Sequence, residues 1–166
     1  MSGSEPGFCA LHCYCVFDLE RPTAKDHSYF ERYLPGAIDK IKAEGLSKIM
    51  TMEFLSVSKP FRSQKLGISL GHVLVSLGLK LRKMLQVDGI ITSARADVGA
   101  ANLAYRLGAK PLIKDLQING CATDIVFWDK KEVATADREA EAKYIEKYWR
   151  EKSDLLSGNQ TIRFAA

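Results

Sequence analysis

The sequence predicts an α/β domain with a mixed central sheet, and three observations carry that prediction. Apolar runs of strand length alternate with segments whose apolar residues recur at helical spacing. Glycine, proline and Asx residues punctuate the boundaries between them. Near the end of this alternation, Asn119-Gly120 stands between two further strand-like runs, the signature of a tight hairpin. The order strand, helices, strand, helix, strand, helix, hairpin makes the sheet at least partly parallel at its centre.

Taken in order, FCALHCYCVF (residues 8–17) is aromatic and apolar, ends at Asp18 and reads as a strand. Residues 24–44 carry Tyr29, Phe30, Tyr33, Ile38 and Ile41 at helical spacings interrupted by Pro35-Gly36, which predicts two short helices joined by a kink. Gly45 is placed to cap the second of them, after which KIMTMEFLSV (residues 48–57) is a strand closed by Pro60. From Lys65 to Leu85, Leu66, Leu70, Val73, Leu74, Leu77, Leu81 and Leu85 define one buried helical face, with Asp88-Gly89 as the turn that follows. GIITSARA is then a short buried strand and VGAANLAYRLG a short helix closed by Gly108. Residues 135–156 interleave acids and bases around Tyr144, Ile145, Tyr148 and Trp149, as expected of a C-terminal helix lying on the body or on a partner.

At 166 residues the chain fits a single domain, residues 1–166, large enough to bury a core without metal or disulfide staples. Hydrophobic residues at 46% and charged residues at 27% are globular values. No apolar segment reaches the roughly 20 residues of a membrane span, so no membrane association is expected. The start, MSGSEPGF, has neither a basic leader nor an apolar export core; cytoplasmic location and free thiols at all four cysteines are the expectation. A formal charge of +4 suits an anionic small molecule or an acidic partner and is too small to imply nucleic acid.

The stretch KPFRSQKLGISLG (residues 59–71) concentrates the chemistry. A glycine-bearing turn at a helix N-terminus offers backbone N–H groups without intrahelical partners and the positive end of the helix dipole, which together favour phosphate. Gly67 allows close approach to the backbone, while Arg62 and Lys65 add complementary charge. Neither the Walker loop nor the GxGxxG dinucleotide fingerprint is present.

These residues resemble the GNAT acyltransferase superfamily, whose signature Q/R-x-x-G-x-G/A follows a strand and opens a helix. The match is Gln64-Lys65-Leu66-Gly67-Ile68-Ser69, preceded by Leu55-Ser56-Val57 in place of the family's L-x-V. Asp97, Ala100, Leu103, Leu107 and Gly108 fall where the family has its second, downstream pattern, so the likeness spans about residues 48–112. The resemblance implies a splayed parallel strand pair within a core of about residues 48–128, flanking helices, and an N-terminal part that is atypical or shortened. It further implies that the backbone of Leu55, Ser56 and Val57 holds the pantetheine arm of an acyl-coenzyme A. Arg62, Gln64, Lys65, Leu66, Gly67, Ile68 and Ser69 would hold its pyrophosphate. The implied cofactor is acetyl-CoA or a longer acyl-CoA, without metal, and the implied acceptor an amine on a small molecule or protein. Glu53 and Val57 also resemble the E-x-x-x-V of the N-acyl amino acid and acyl-homoserine-lactone synthase branch. An aromatic cover supplied by residues 24–44 favours acyl groups longer than acetyl.

Glu53, charged in an apolar strand, reads either as a general base or as a residue on a solvated strand face. Ala104 occupies the position of the family's catalytic tyrosine, with Tyr105 one step of about 100° away, so Tyr105 reads as the proton donor or as a packing residue. Cys9, Cys13 and Cys15 share a strand face opposite His12, and small apolar packing accounts for them better than a metal. The functional expectation is an acyl-CoA-dependent N-acyltransferase; the alternative is an inactive acyl-CoA-binding module of the same shape. Monomer and homodimer both remain open.

Overall fold

A computed structural model describes residues 9–62, 67–130 and 139–156. Strands β1 (Ala10–Asp18), β2 (Lys48–Val57), β3 (Gly89–Arg95), β4 (Lys110–Ile118) and β5 (Cys121–Trp128) form one five-stranded sheet in the order β1-β2-β3-β5-β4. The β2/β3 pair is parallel, and every other neighbouring pair is antiparallel. The architecture is therefore α/β with a mixed sheet whose parallel pair lies inside it, as the alternation of elements predicts.

Helices cover both faces. Helices α1 (Pro22–Lys25), α2 (Ser28–Tyr33) and α3 (Ala37–Ala43), together with Leu34 at the C-cap of α2, pack Ala24, Phe30, Leu34 and Ile41 against Ile49, Ile91, Ile125 and Phe127. Helices α4 (Leu70–Leu85) and α5 (Ala100–Arg106) pack Val75, Leu79 and Ala104 against Met50, Ile90, Val126 and Trp128 on the opposite face. Successive residues such as Ile49 and Met50, or Phe127 and Trp128, thus enter different cores. That is why these strands read as continuous apolar runs rather than alternating ones. Helix α6 (Glu139–Leu156) lies on α4.

The predicted break at Pro35-Gly36 separates α2 from α3, and β2 has the bounds read from the sequence. The hairpin turns on Asn119 (φ 51°) and Gly120 (φ 74°), both left-handed as a two-residue primed turn requires. Three expectations change. The segment expected to form two helices is preceded by a further short one, α1, with Pro22 in its first turn. Helix α4 begins at Leu70, because the Ser69 hydroxyl accepts the His72 N–H and caps it there; Lys65 and Leu66 lie outside the described residues. Asp88-Gly89 is no turn either. Gln86 ends α4 in the left-handed conformation, Gly89 opens β3, and Asp88 Oδ2 accepts the Ser47 N–H at 3.1 Å and the Lys48 N–H at 2.8 Å.

Gly89 sits where a Cβ would lie 2.7 Å from the Trp128 carbonyl oxygen and 2.9 Å from Leu46 Cδ1. A backbone oxygen cannot yield as a flexible side chain does. Gly89→Ala is expected to lower unfolding free energy by about 1–3 kcal/mol, measured by urea denaturation.

Candidate active site

The parallel ladder between β2 and β3 covers only Ile49↔Gly89, Met50↔Ile90 and Thr51↔Ile91, although β2 continues to Val57 and β3 to Arg95. Asp88 ties the closed end through its bonds to Ser47 and Lys48. Beyond the ladder, the Thr92 hydroxyl donates to the Met52 carbonyl. At Phe54 the backbone turns left-handed (φ 56°), and the β1/β2 register shifts between Leu11 and Cys13. Pairing with β1 resumes past the bulge at Ser56↔Leu11 and Val57↔Ala10, whereas the ladder with β3 does not. A small cavity of about 60 Å³ opens here, lined by Phe54 and Leu55 of β2, Thr92 and Ser93 of β3, His12, and Leu103 and Ala104 of α5, among others.

Glu53 immediately precedes the bulge and lies on the α1–α3 side, sharing strand parity with Ile49 and cross-strand register with Cys13. Its carboxylate accepts a hydrogen bond from the Tyr29 hydroxyl on α2. Burial pushes the Glu53 carboxyl up to about 7, and the Tyr29 hydrogen bond opposes that rise. Burial, and then the adjacent Glu53 charge, raise the Tyr29 phenol far above its ordinary value, so it remains a donor. Phe17 stacks on Tyr29 at 5.4 Å, and Tyr29 lies 5.4 Å from Tyr33, whose ring in turn meets Phe54 at 6.3 Å. A carboxyl that titrates near neutrality thus sits within an aromatic wall.

On the α4 side, a larger cavity of about 520 Å³ is lined by Val57, Phe61, Arg62, the Gly67–Ile68–Ser69 turn, the first turn of α4, Arg106 and Glu141. The Arg62 Nε donates to the Val57 carbonyl at 2.6 Å, which holds its guanidinium beside the cavity. The Arg106 side chain forms no hydrogen bond or ion pair among the described residues and is exposed. The Ser69 N–H does have a partner, Glu141 Oε1 of α6 at 3.0 Å. Leu70 and Gly71, the first residues of α4, have no intrahelical acceptor for their N–H groups.

Of the sequence-predicted residues, Leu55 lines the slot between the strands, and Val57, Arg62, Gly67, Ile68 and Ser69 line the α4 cavity. Ser56 pairs with Leu11 of β1, while its other edge has no ladder partner in β3. Gln64, Lys65 and Leu66 lie outside the described residues. Tyr105 lies elsewhere. Its hydroxyl donates to Asp124 Oδ2 at 2.6 Å, and Asp124 Oδ1 accepts the Asp115 N–H at 3.0 Å. Burial, then the Asp124 bond, raise the Tyr105 phenol above its ordinary value. One helical step decides the difference: Ala104 lines the slot and Tyr105 does not.

Sequence reasoning missed His12, Arg106 and Glu141, and named Tyr29 only as part of an aromatic cover. His12 lines the slot, and its Nδ1 lies 3.0 Å from the Tyr14 hydroxyl, which donates to the Leu74 carbonyl. Burial lowers the His12 imidazole to about 4, so it is neutral at physiological pH. Among the described residues, no group of three or more His, Cys, Asp or Glu side chains could hold a metal, and no helix is long and apolar enough to cross a membrane. Comparison with known proteins finds no matching family, no matching curated protein and no matching solved structure.

Tyr29→Phe removes the hydrogen bond that favours the Glu53 carboxylate, so the Glu53 pKa should rise above about 7 in a carbon-detected NMR titration. The raised pKa also has a stability sign. The protonated form is favoured by the fold, so this contribution is fully present below about 4.5 and is lost as pH rises through about 7. Glu53→Gln should flatten that part of the stability profile, as followed by chemical denaturation across this range.

Proposed function

We propose that the protein transfers an acyl group from a coenzyme A thioester to an amine by direct attack, with a GNAT-like arrangement of its sheet. The observation that carries this reading is the interrupted β2/β3 pair, which has Glu53 on one face and the cationic α4 turn on the other. A thioester lying between the strands would have its pantetheine arm along the β3-facing edge of Leu55, Ser56 and Val57, which has no ladder partner in β3 and where the Val57 carbonyl accepts from Arg62. Its phosphates would meet the α4 N-terminus, Arg62 and Arg106. Gln64, Lys65 and Leu66 complete the motif in sequence.

The chemistry then needs little machinery. Glu53, with its carboxyl near 7, takes a proton from the incoming amine as nitrogen attacks the thioester carbonyl. A backbone N–H on the free strand edge stabilises the oxyanion, and collapse of the tetrahedral intermediate expels the coenzyme A thiolate. The Tyr29 hydroxyl donates to the Glu53 carboxylate and fixes its position on the α1–α3 side of β2. The side chain of Ala104 at the slot cannot protonate a thiolate, and this specific feature favours a second reading, a module that binds acyl-CoA without turnover.

Incubation with acetyl-, octanoyl- and palmitoyl-CoA and a panel of amines, beside calorimetric binding, separates the two readings. Turnover is expected, with kcat/KM greater for the longer donors, since each buried methylene contributes up to about 0.8 kcal/mol. A preference for acetyl-CoA removes the long-chain expectation alone; binding without turnover supports the module. Glu53→Gln should lower kcat by about 10²–10⁴-fold with coenzyme A affinity unchanged, and the wild-type rate should rise through a limb near pH 7. Arg106→Ala should weaken coenzyme A binding by about 3- to 10-fold with kcat at saturation preserved.

A further inference from the structure

The anion site at the start of α4 already has an anion of the chain's own. Glu141 is 2% exposed, its Oε1 accepts the Ser69 N–H at 3.0 Å, and its Oε2 lies 3.5 Å from His72 Nδ1. Among the described residues Oε2 has no hydrogen-bond partner, nor has Nε2 of His72, a residue only 5% exposed. A buried carboxylate with one hydrogen bond is poorly compensated unless a positive field surrounds it, and the N-terminus of the 16-residue α4 supplies that field. Arg62 and Arg106 line the same cavity without pairing with Glu141. The cavity thus has more positive charge at its wall than its internal carboxylate uses.

We propose that Glu141 is a self-ligand of the α4 anion site, and that a phosphate-bearing ligand binds by displacing it and loosening the start of α6. For coenzyme A as that ligand, the inference rests on the function proposed above. Glu141 and the ligand's phosphate are like charges competing for one set of N–H groups, so occupancy by one disfavours the other. The remainder of α6 has its own attachments: Ile145 is buried, Lys80 pairs with Glu146 at 2.5 Å, and Lys80 lies over the Trp149 ring. Displacement therefore loosens the helix from its N-terminal end and leaves it tethered. In the free protein the same contact keeps α6 closed over the turn.

Glu141→Gln is the deciding variant, because its amide oxygen can still accept the Ser69 N–H while the charge is gone. Coenzyme A and inorganic pyrophosphate serve as separate probes, with affinity read by calorimetry and amide exchange read across residues 143–147 of wild-type α6. Glu141→Gln should bind each probe about tenfold more tightly, and either probe should speed exchange in α6. Equal or weaker binding by the variant, with α6 exchange unchanged or slowed on ligand addition, overturns the proposal and leaves the acyltransferase reading intact. Pyrophosphate binding that tightens in the variant while coenzyme A binds neither protein keeps the proposal and removes coenzyme A as the ligand. Absence of binding by both probes to both proteins overturns both. Should the variant fail to fold, the exchange response of the wild-type protein decides alone.

Discussion

The early end of the β2/β3 ladder is the constraint on which the rest of the molecule depends. Two parallel strands buried between helices would ordinarily pair along their length, since an unpaired backbone group in a dry interior loses about the value of a hydrogen bond. Here pairing stops at Thr51 and Ile91, and it stops by construction. Asp88 fixes one end by accepting N–H groups from Ser47 and Lys48; at the other, Phe54 takes a left-handed conformation that an aromatic residue seldom adopts. Strain at such a position persists only where the surroundings impose it, and it concentrates where a protein must present backbone to something else.

That opening divides the functional groups by charge. On the α1–α3 side the groups are aromatic, with one carboxyl whose pKa burial raises to about 7; on the α4 side they are backbone N–H groups and two guanidinium groups around the single carboxylate of Glu141. A substrate spanning the sheet would place its anionic end and its reacting centre in different environments. The division follows from strand parity. Residues 49, 51 and 53 face the α1–α3 core and residues 50 and 52 the α4 core, so one strand serves both sides. Ala104 and Tyr105 show the same logic on α5, where adjacent residues have separate fates, one at the slot and one tied to Asp124.

The sequence made legible whatever depends on near neighbours. β2 was readable from a run of apolar residues ending before Pro60, the hairpin from Asn119-Gly120, and the kink from Pro35-Gly36. The cationic turn was readable because Arg62, Gly67 and Ser69 lie close together in the chain. What escaped depends on register between distant elements. Asp88 resembled a turn residue, and only the approach of Ser47 makes it a clamp. Glu141 resembled one more charge on an exposed helix, and the seating of α6 on α4 buries it at Ser69. Arg106 reaches the cavity because α5 ends beside the α4 turn, and His12 reaches the slot because β1 crosses the bulge. No local pattern carries such information.

The central claim is that the gap between β2 and β3 is the seat of an acyl-CoA thioester. An amide-resolved NMR titration with coenzyme A tests it most directly. The account predicts the largest shifts at the amides of residues 54–57 and 92–95 on the facing strand edges, together with residues 67–72 at the start of α4. Shifts confined to other surfaces, such as the end of α4 around Gln86 or the hairpin at Asn119, with the strand-edge amides unmoved at saturation, would contradict it.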